Sequence, residues 1–457
     1  MRTVGLASVL ATVAGLATAS PTHTDPEPPT KRSTLPTVTV SGNAFWQDDT
    51  RFYIRGVDYQ PGGSSEAADP LADPKVCKRD IEQFKALGIN TIRVYITDNA
   101  KDHDLCMNAL ADAGIYVILD ANNPKYSISR LNPDPSYNEV YLQSVFATID
   151  AFAKYPNTLA FFSGNEVVND QVNSTLSARY VKATTRDMRQ YIGNRGYRKI
   201  PVGYSAADVA SNRRQLADYM NCGPDDERSD FFAFNDYSWC DPSNFVQSGW
   251  VDKVKNFTDY GIPIFLSEYG CNTGGPRDFG EFAALMSENM TKVYSGGLMF
   301  EYAMGPNKYG IVTIPGEQAG AVQQESDFGR FADALAQHPP PSGNGGAKST
   351  TRAMACPTKD ANWLVDSTLL PAIPQGAKAL MKSGAGTGPG LDGPGSQNAG
   401  GTSTSDAEPG SGSVTASPSP SSTKNAAGKP NARSVDKEPF AIAGLVMLLT
   451  LSGALLL

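Results

Sequence analysis

Histidine is nearly missing from this chain of 457 residues: there are three, His23, His103 and His338, and none neighbours another. No pair has the spacing of a histidine-based metal site, and no Cys-x-x-Cys occurs, so no metal is expected. A surplus of positive charge is absent too. Lys and Arg number 39 against 47 Asp and Glu, a net charge of −8 with no basic stripe to offset it, which excludes nucleic acid as a partner. The Gly-rich phosphate loop of a dinucleotide-binding fold is also lacking. Gly62-Gly63 follows the first candidate strand but does not make that fingerprint, and no cofactor is expected.

Both ends carry signals. Residues 1–19 read as a secretory signal peptide, with Arg2, an apolar stretch through Leu16, and Ala17-Thr18-Ala19 as the cleavage site. At the other end, Phe440–Leu457 is uncharged and apolar, with no basic flank after it. It follows a polar spacer and the small residues Asn425-Ala426-Ala427, the pattern of a GPI-anchor signal. Asn425 is the first choice for the attachment residue, with Ser422 and Gly428 as alternatives, and residues 426–457 would be removed. Residues 383–425 are almost all Gly, Ser, Pro, Thr, Ala and Asn, too polar to bury surface that offsets ordering, and are expected to be a disordered stalk. The three sequons at Asn173, Asn256 and Asn289 fit passage through the secretory pathway to the cell surface. In that compartment the six cysteines Cys77, Cys106, Cys222, Cys240, Cys271 and Cys356 would form three disulfides, in any of 15 pairings.

The rest is a folding unit at 35–335 with a C-terminal extension at 336–382. Apolar strands are expected at 52–57, 89–95, 115–119, 159–164, 201–204, 231–235, 263–266 and 297–300. Helical stretches alternate with them, at 77–87, 104–113, 141–154, 177–192, within 245–260, and at 279–294. Continuous apolar strands fit a parallel sheet covered on both faces. Eight such units predict an α/β fold, a (β/α)8 TIM barrel whose active site lies at the C-terminal strand ends. Those ends carry Tyr59-Gln60, Tyr95, Asp120, Asn165-Glu166, Asp236-Tyr237, Glu268 and Glu301-Tyr302.

Two of these ends are buried-strand motifs that stop at a glutamate, Phe161-Phe162-Ser163-Gly164-Asn165-Glu166 and Ile264-Phe265-Leu266-Ser267-Glu268. A carboxylate is costly inside a core and sits where a strand opens into a site. Two of them at the ends of the fourth and seventh strands suit the acid/base and nucleophile of a glycosidase. Asn165 can bond a sugar 2-hydroxyl, a tyrosine from Tyr237, Tyr269 or Tyr302 can hold Glu268 ionised, and Tyr95, Tyr126 and Trp239 can stack on sugar faces.

Tyr53-Ile54-Arg55-Gly56-Val57-Asp58-Tyr59-Gln60, Arg93-Val94-Tyr95, Gly164-Asn165-Glu166-Val167 and Ser267-Glu268-Tyr269-Gly270-Cys271 resemble the fungal GPI-anchored β-1,3-glucanosyltransferases of glycoside hydrolase family 72, over residues 38 to about 370. The resemblance implies a retaining enzyme that cuts an internal β-1,3-glucan bond and passes the held fragment to the non-reducing end of another β-1,3-glucan, so that donor and acceptor are both glucan. It implies Glu166 as acid/base and Glu268 as nucleophile. Tyr95, Asn165 and Tyr302 would be donor-side contacts and Asp208 and Arg213 acceptor-side contacts, with Gln60, Asp120 and Tyr237 at further site positions. It implies the pairs Cys77–Cys106, Cys222–Cys356 and Cys240–Cys271, and attachment to the plasma membrane or wall through the lipid anchor. The cysteine-rich glucan-binding module that some members carry has no counterpart here. An endo-β-1,3-glucanase that only hydrolyses, or a non-catalytic wall protein, are the alternatives.

Overall fold

The computed structural model describes residues 35–63, 68–315, 320–366, 369–397 and short pieces up to 407. The signal peptide, Asn425 and the apolar tail lie outside them. Among the described residues no helix is long and apolar enough to cross a membrane.

The chain begins with a three-stranded antiparallel sheet, β1 (Val38–Ser41), β2 (Ala44–Gln47) and β3 (Thr50–Phe52). Eight parallel strands then close a barrel: β4 (Ile54–Asp58), β5 (Thr91–Val94), β6 (Tyr116–Asp120), β7 (Thr158–Asn165), β8 (Val202–Ala207), β9 (Phe231–Asn235), β10 (Ile264–Tyr269) and β11 (Tyr294–Met299), with β11 pairing back onto β4. That last pairing needs glycine. Gly296 has φ +91°, and a Cβ there would lie 2.0 Å from the Ile54 carbonyl oxygen.

The helices between strands follow local sequence logic. In Pro74–Leu87, Asp73 caps the first turn by accepting from the Lys75 N–H at 2.8 Å, Pro74 starts the helix, and Gly88 ends it in the left-handed region. Its buried face carries Ile81, Phe84 and Leu87. The helix expected over 279–294 is broken in two, Gly280–Leu285 and Glu288–Thr291, and the one sought within 245–260 shortens to Trp250–Asn256 after Gly249 at φ +73°.

The barrel interior is layered. At its base Phe45 of β2 enters the barrel and packs on Phe231 and Phe265, both at 5.9 Å between ring centroids. Above these lies Phe162, and above Phe162 the guanidinium of Arg93, 4.6 Å from its ring centroid. The core therefore changes from apolar to charged towards the C-terminal strand ends.

Outside the barrel the C-terminal extension follows the surface, with Trp363 buried against Tyr219 at 5.3 Å and a helix at Gln375–Ser383. Packing continues past the expected start of the stalk. Ala385 and Ser396 are buried, the Ala385 N–H bonds to the Tyr191 hydroxyl at 2.8 Å, and Gln143 donates to the carbonyls of Ala385 and Thr387 at 2.9 and 3.0 Å. The side chains of the barrel helices satisfy this backbone, so Gly- and Ser-rich composition alone does not mark where packing stops. Disulfides join Cys77 to Cys106, Cys222 to Cys356 and Cys240 to Cys271. Asn173, Asn256 and Asn289 are all exposed.

Candidate active site

Glu268 lies in the seventh barrel strand and is almost fully buried. Three donors hold it. Arg93 Nη1 reaches Oε1 at 3.2 Å, the Tyr95 hydroxyl donates to Oε1 at 2.9 Å, and the Tyr237 hydroxyl donates to Oε2 at 2.7 Å. Burial pushes the Glu268 carboxyl up to about 7. Arg93 opposes that, the charge of Glu166 adds to it, and the two tyrosine hydroxyls lower it.

Glu166 follows the fourth strand, half-buried, with φ +47°. A non-glycine residue in the left-handed region is uncommon and marks a backbone held by its surroundings. Here the Glu166 N–H bonds the Ser205 carbonyl at 2.9 Å, and Arg130 donates to the Glu166 carbonyl. Its side chain accepts from Asn235 Nδ2 at 2.9 Å. Asn165 Oδ1 accepts from Arg93 at 3.0 Å, Ser205 at 2.7 Å and Asn235 at 3.1 Å. With its oxygen so committed, Asn165 has its amide N–H groups to offer a ligand.

Arg93 organises this layer. It is fully buried, forks onto Asp120 at 2.9 and 3.1 Å, and stacks 4.2 Å from the Tyr95 ring centroid. Asp120 thus acts through Arg93 rather than from the rim. Burial raises its carboxyl and Arg93 opposes the rise. Asp58, at the end of the first barrel strand, is fully buried beside this layer. Burial holds its carboxyl well above the usual range, Arg93 opposing and Glu268 adding.

Asp208 and Arg213 meet each other at one side of the mouth. Arg213 Nε donates to Asp208 Oδ1, and Lys253 Nζ bridges Asp208 at 2.6 Å and Asp236 at 2.5 Å. Burial works to raise the Asp208 carboxyl, but Lys253 and Arg213 outweigh it and hold it below the usual range.

Four expected contacts lie elsewhere. Tyr302 is fully buried and its hydroxyl donates to Asp80 Oδ1 at 2.7 Å, beside Tyr59 on Oδ2 at 2.7 Å, so it pins the helix Pro74–Leu87 instead of meeting a ligand or Glu268. Gln60 spends both ends on backbone, donating to the Ala68 carbonyl at 2.8 Å and accepting from the Ile96 N–H at 3.0 Å. Tyr126 is buried, and its hydroxyl accepts from the Gly395 N–H at 3.3 Å. Trp239 is buried against Trp250 at 5.0 Å and donates to Asp241. Tyr269, among the tyrosines considered for Glu268, is buried too.

Arg93, Asn235 and Phe300 were not foreseen as site residues. Phe300 is half-buried and meets Tyr237 edge-on at 6.1 Å. The signal for Arg93 was present in the sequence, as a charge inside the apolar strand Thr91-Ile92-Arg93-Val94.

The glucanosyltransferase profile of glycoside hydrolase family 72 matches residues 29–338. The chain belongs to this family. It is 62% identical over 363 residues to the 1,3-beta-glucanosyltransferase gel1 of Aspergillus fumigatus, covering 79% of each chain. It is 52% identical over 366 residues to the 1,3-beta-glucanosyltransferase gas4 of Schizosaccharomyces pombe, covering 78% of this chain and 79% of that one. Among solved structures it is similar to a glutamate-to-glutamine mutant of Saccharomyces cerevisiae Gas2p in complex with laminaritetraose and laminaripentaose. The TM-score is 0.69 and the identity 38%, over 75% of this chain and 76% of that one. The family 72 fold and the two-glutamate mouth therefore occur together in this chain.

Proposed function

We propose that the chain is a retaining β-1,3-glucanosyltransferase that elongates cell-wall glucan. The observation that carries this is the setting of Glu268. Arg93, Tyr95 and Tyr237 fix both of its oxygens and stabilise its ionised form, while Glu166 is held by Asn235, which reaches Arg93 through Asn165. Glu268 attacks the anomeric carbon of a β-1,3-linked residue, and Glu166 gives its proton to the departing glycosidic oxygen. The non-reducing part of the donor is then held as an ester on Glu268. Glu166, now ionised, takes the proton from a hydroxyl at the non-reducing end of a second glucan. That oxygen displaces Glu268 and a β-1,3 bond is restored with the configuration retained. Asn165 offers its amide and Tyr95 its half-buried side chain to the donor sugar, and Asp208 with Arg213 bind the acceptor.

A reduced laminari-oligosaccharide incubated with the secreted protein tests the reading. Products longer than the substrate are expected, and Glu268→Gln abolishes them. Shorter products alone would make the enzyme an endo-β-1,3-glucanase.

Residues 1–19 and 426–457 support secretion and a GPI anchor at Asn425. Release of the protein from cells by a phosphatidylinositol-specific phospholipase tests that, and surface protein indifferent to the enzyme would refute it.

A further inference from the structure

Behind Trp239 and away from the glutamate pair, three carboxylates converge. Asp241 follows β9, and Asp278 and Glu281 follow β10, the latter in the helix Gly280–Leu285. One oxygen from each lies within 4.8 Å of the others. Asp241 is 6% exposed and Glu281 2%, while Asp278 opens to solvent. Like charges this close and this buried repel unless something neutralises them.

Among the described residues no lysine or arginine forms an ion pair with any of the three, and only the charge of Arg277, at longer range, favours the ionised form of Glu281. Arg277 is the adjacent cation, and its guanidinium is committed to Asp327 at 2.8 Å and to the carbonyls of Phe300 and Tyr309 at 3.1 and 2.7 Å. Asp241 is held in place by Trp239 Nε1 on Oδ1 at 3.1 Å and by the N–H groups of Asp278 and Phe279 on Oδ2 at 2.8 and 3.3 Å. Asp278 Oδ1 accepts from the Gly280 N–H at 2.8 Å. Glu281 differs: its Oε2 is buried and has no hydrogen-bond partner among the described residues. A buried polar atom without a partner needs an explanation, and this one belongs to a carboxylate grouped with two others.

We propose that Asp241, Asp278 and Glu281 bind a calcium ion. The scarcity of histidine argues only against nitrogen-based sites, and this one is built wholly of oxygen. Calcium takes carboxylate oxygens at about 2.3–2.6 Å in irregular geometry, so oxygens spaced as these are can all reach one ion. The open side at Asp278 admits the waters that complete its shell. Zinc would ask for nitrogen or sulfur ligands. The ion ties the loop after β9, which carries Tyr237, to the segment that follows β10, the strand in which Glu268 lies. It would work beside the Cys240–Cys271 disulfide.

Terbium, which replaces calcium and luminesces when energy reaches it from an indole, tests the site because Trp239 is hydrogen-bonded to the ligand Asp241. The secreted protein, stripped with EDTA, is titrated with terbium and then with calcium, and its thermal midpoint is compared in EDTA and in millimolar CaCl2. Sensitised emission that calcium displaces is expected, with a midpoint rise of roughly 2–5 °C. Asp278→Asn, at an exposed position, and Glu281→Gln should each remove both effects. No emission and no calcium shift in the parent protein would overturn the proposal, as would emission and shift that survive both substitutions. A Glu281→Gln protein more stable than a calcium-indifferent parent would identify a shared proton as the occupant and also overturn it.

Discussion

Replacing Tyr237 by Phe removes one hydroxyl and nothing else from the grip on Glu268. That hydroxyl donates to Oε2 at 2.7 Å, whereas Arg93 and Tyr95 both act on Oε1. A hydrogen bond to a charged group is worth about 1.5–3 kcal/mol. Losing it raises the free energy of ionised Glu268 by that amount and leaves its protonated form nearly untouched. At 1.36 kcal/mol per unit, the carboxyl moves up by about 1–2 units from its position near 7. The charge of Glu166 adds to the rise at Glu268, and what moves in the variant is the acid limb of the rate profile set by Glu268. The assay is initial-rate formation of elongated laminari-oligosaccharides across pH, read as kcat/KM for the free enzyme. The acid limb should move up by about 1–2 units, and at a pH below the parent's limb the rate should fall by about 10–100-fold. Towards high pH the two enzymes should converge. A loss equal at every pH, with the limb unmoved, would refute the reasoning and make Tyr237 a sugar contact only.

Arg93→Met leaves Asp120 and Glu268 buried without their cation and should cost about 3–5 kcal/mol in urea unfolding. Adding Asp120→Asn should restore part of that stability without restoring transfer; equal recovery of both would sink the role given to Arg93. Burial is the first cause that pushes the Glu268 and Glu301 carboxyls up to about 7. Between their unfolded value of 4.5 and 7 the folded protein holds protons that the unfolded chain has released, so stability falls as pH rises through that window. The thermal midpoint should be higher near pH 5 than near pH 8, and Glu301→Gln should flatten the slope; a midpoint that climbs with pH would contradict this. Cys222–Cys356 spans 134 residues and Cys77–Cys106 spans 29. Chain entropy makes the first worth about 5 kcal/mol and the second about 3.5, so alanine pairs at the two sites should differ in unfolding midpoint in that order.

Amphipathic helices and continuous apolar strands made the barrel legible. The helix expected over 177–192 is found at Ala178–Asn194, and the strand 231–235 has the bounds that were read. The sheet β1–β3 was not legible, because strands of three or four residues joined at Gly42 and Asp48, both with positive φ, leave too short an alternation to detect. Both glutamates were legible from their position after apolar runs. Which neighbours face them was not, because in a strand buried on both faces hydropathy does not tell the inward side chain from the outward one.

A single inward residue per strand resolves that ambiguity, since side chains alternate with period two. The aromatic cluster inside the barrel supplies the reference points. Counting from Ile54 in β4 gives Asp58, and from Ile118 in β6 gives Asp120. Ala233 in β9 gives Asn235, and Leu298 in β11 gives Phe300. In β7 the count from Phe162 stops at Gly164, because a register shift against β8 between Phe162 and Asn165 brings Asn165 and Glu166 both to the site. In β5 the inward Arg93 gives Tyr95. These are the residues that build the site, and Tyr302 is excluded because the chain has left the strand at Met299 and turned towards Asp80. Glu268 breaks the rule as well. Phe265 faces inward, so strict alternation would send Ser267 in and Glu268 out, and Ser267 does bond Asn235 Oδ1 inside at 2.8 Å. A register shift between Leu266 and Glu268 against β9 turns the glutamate to the mouth as well. The position of Glu268 therefore depends on an irregularity that hydrophobic patterning does not encode, and regular pairing there would turn Glu268 away from Tyr95 and Tyr237.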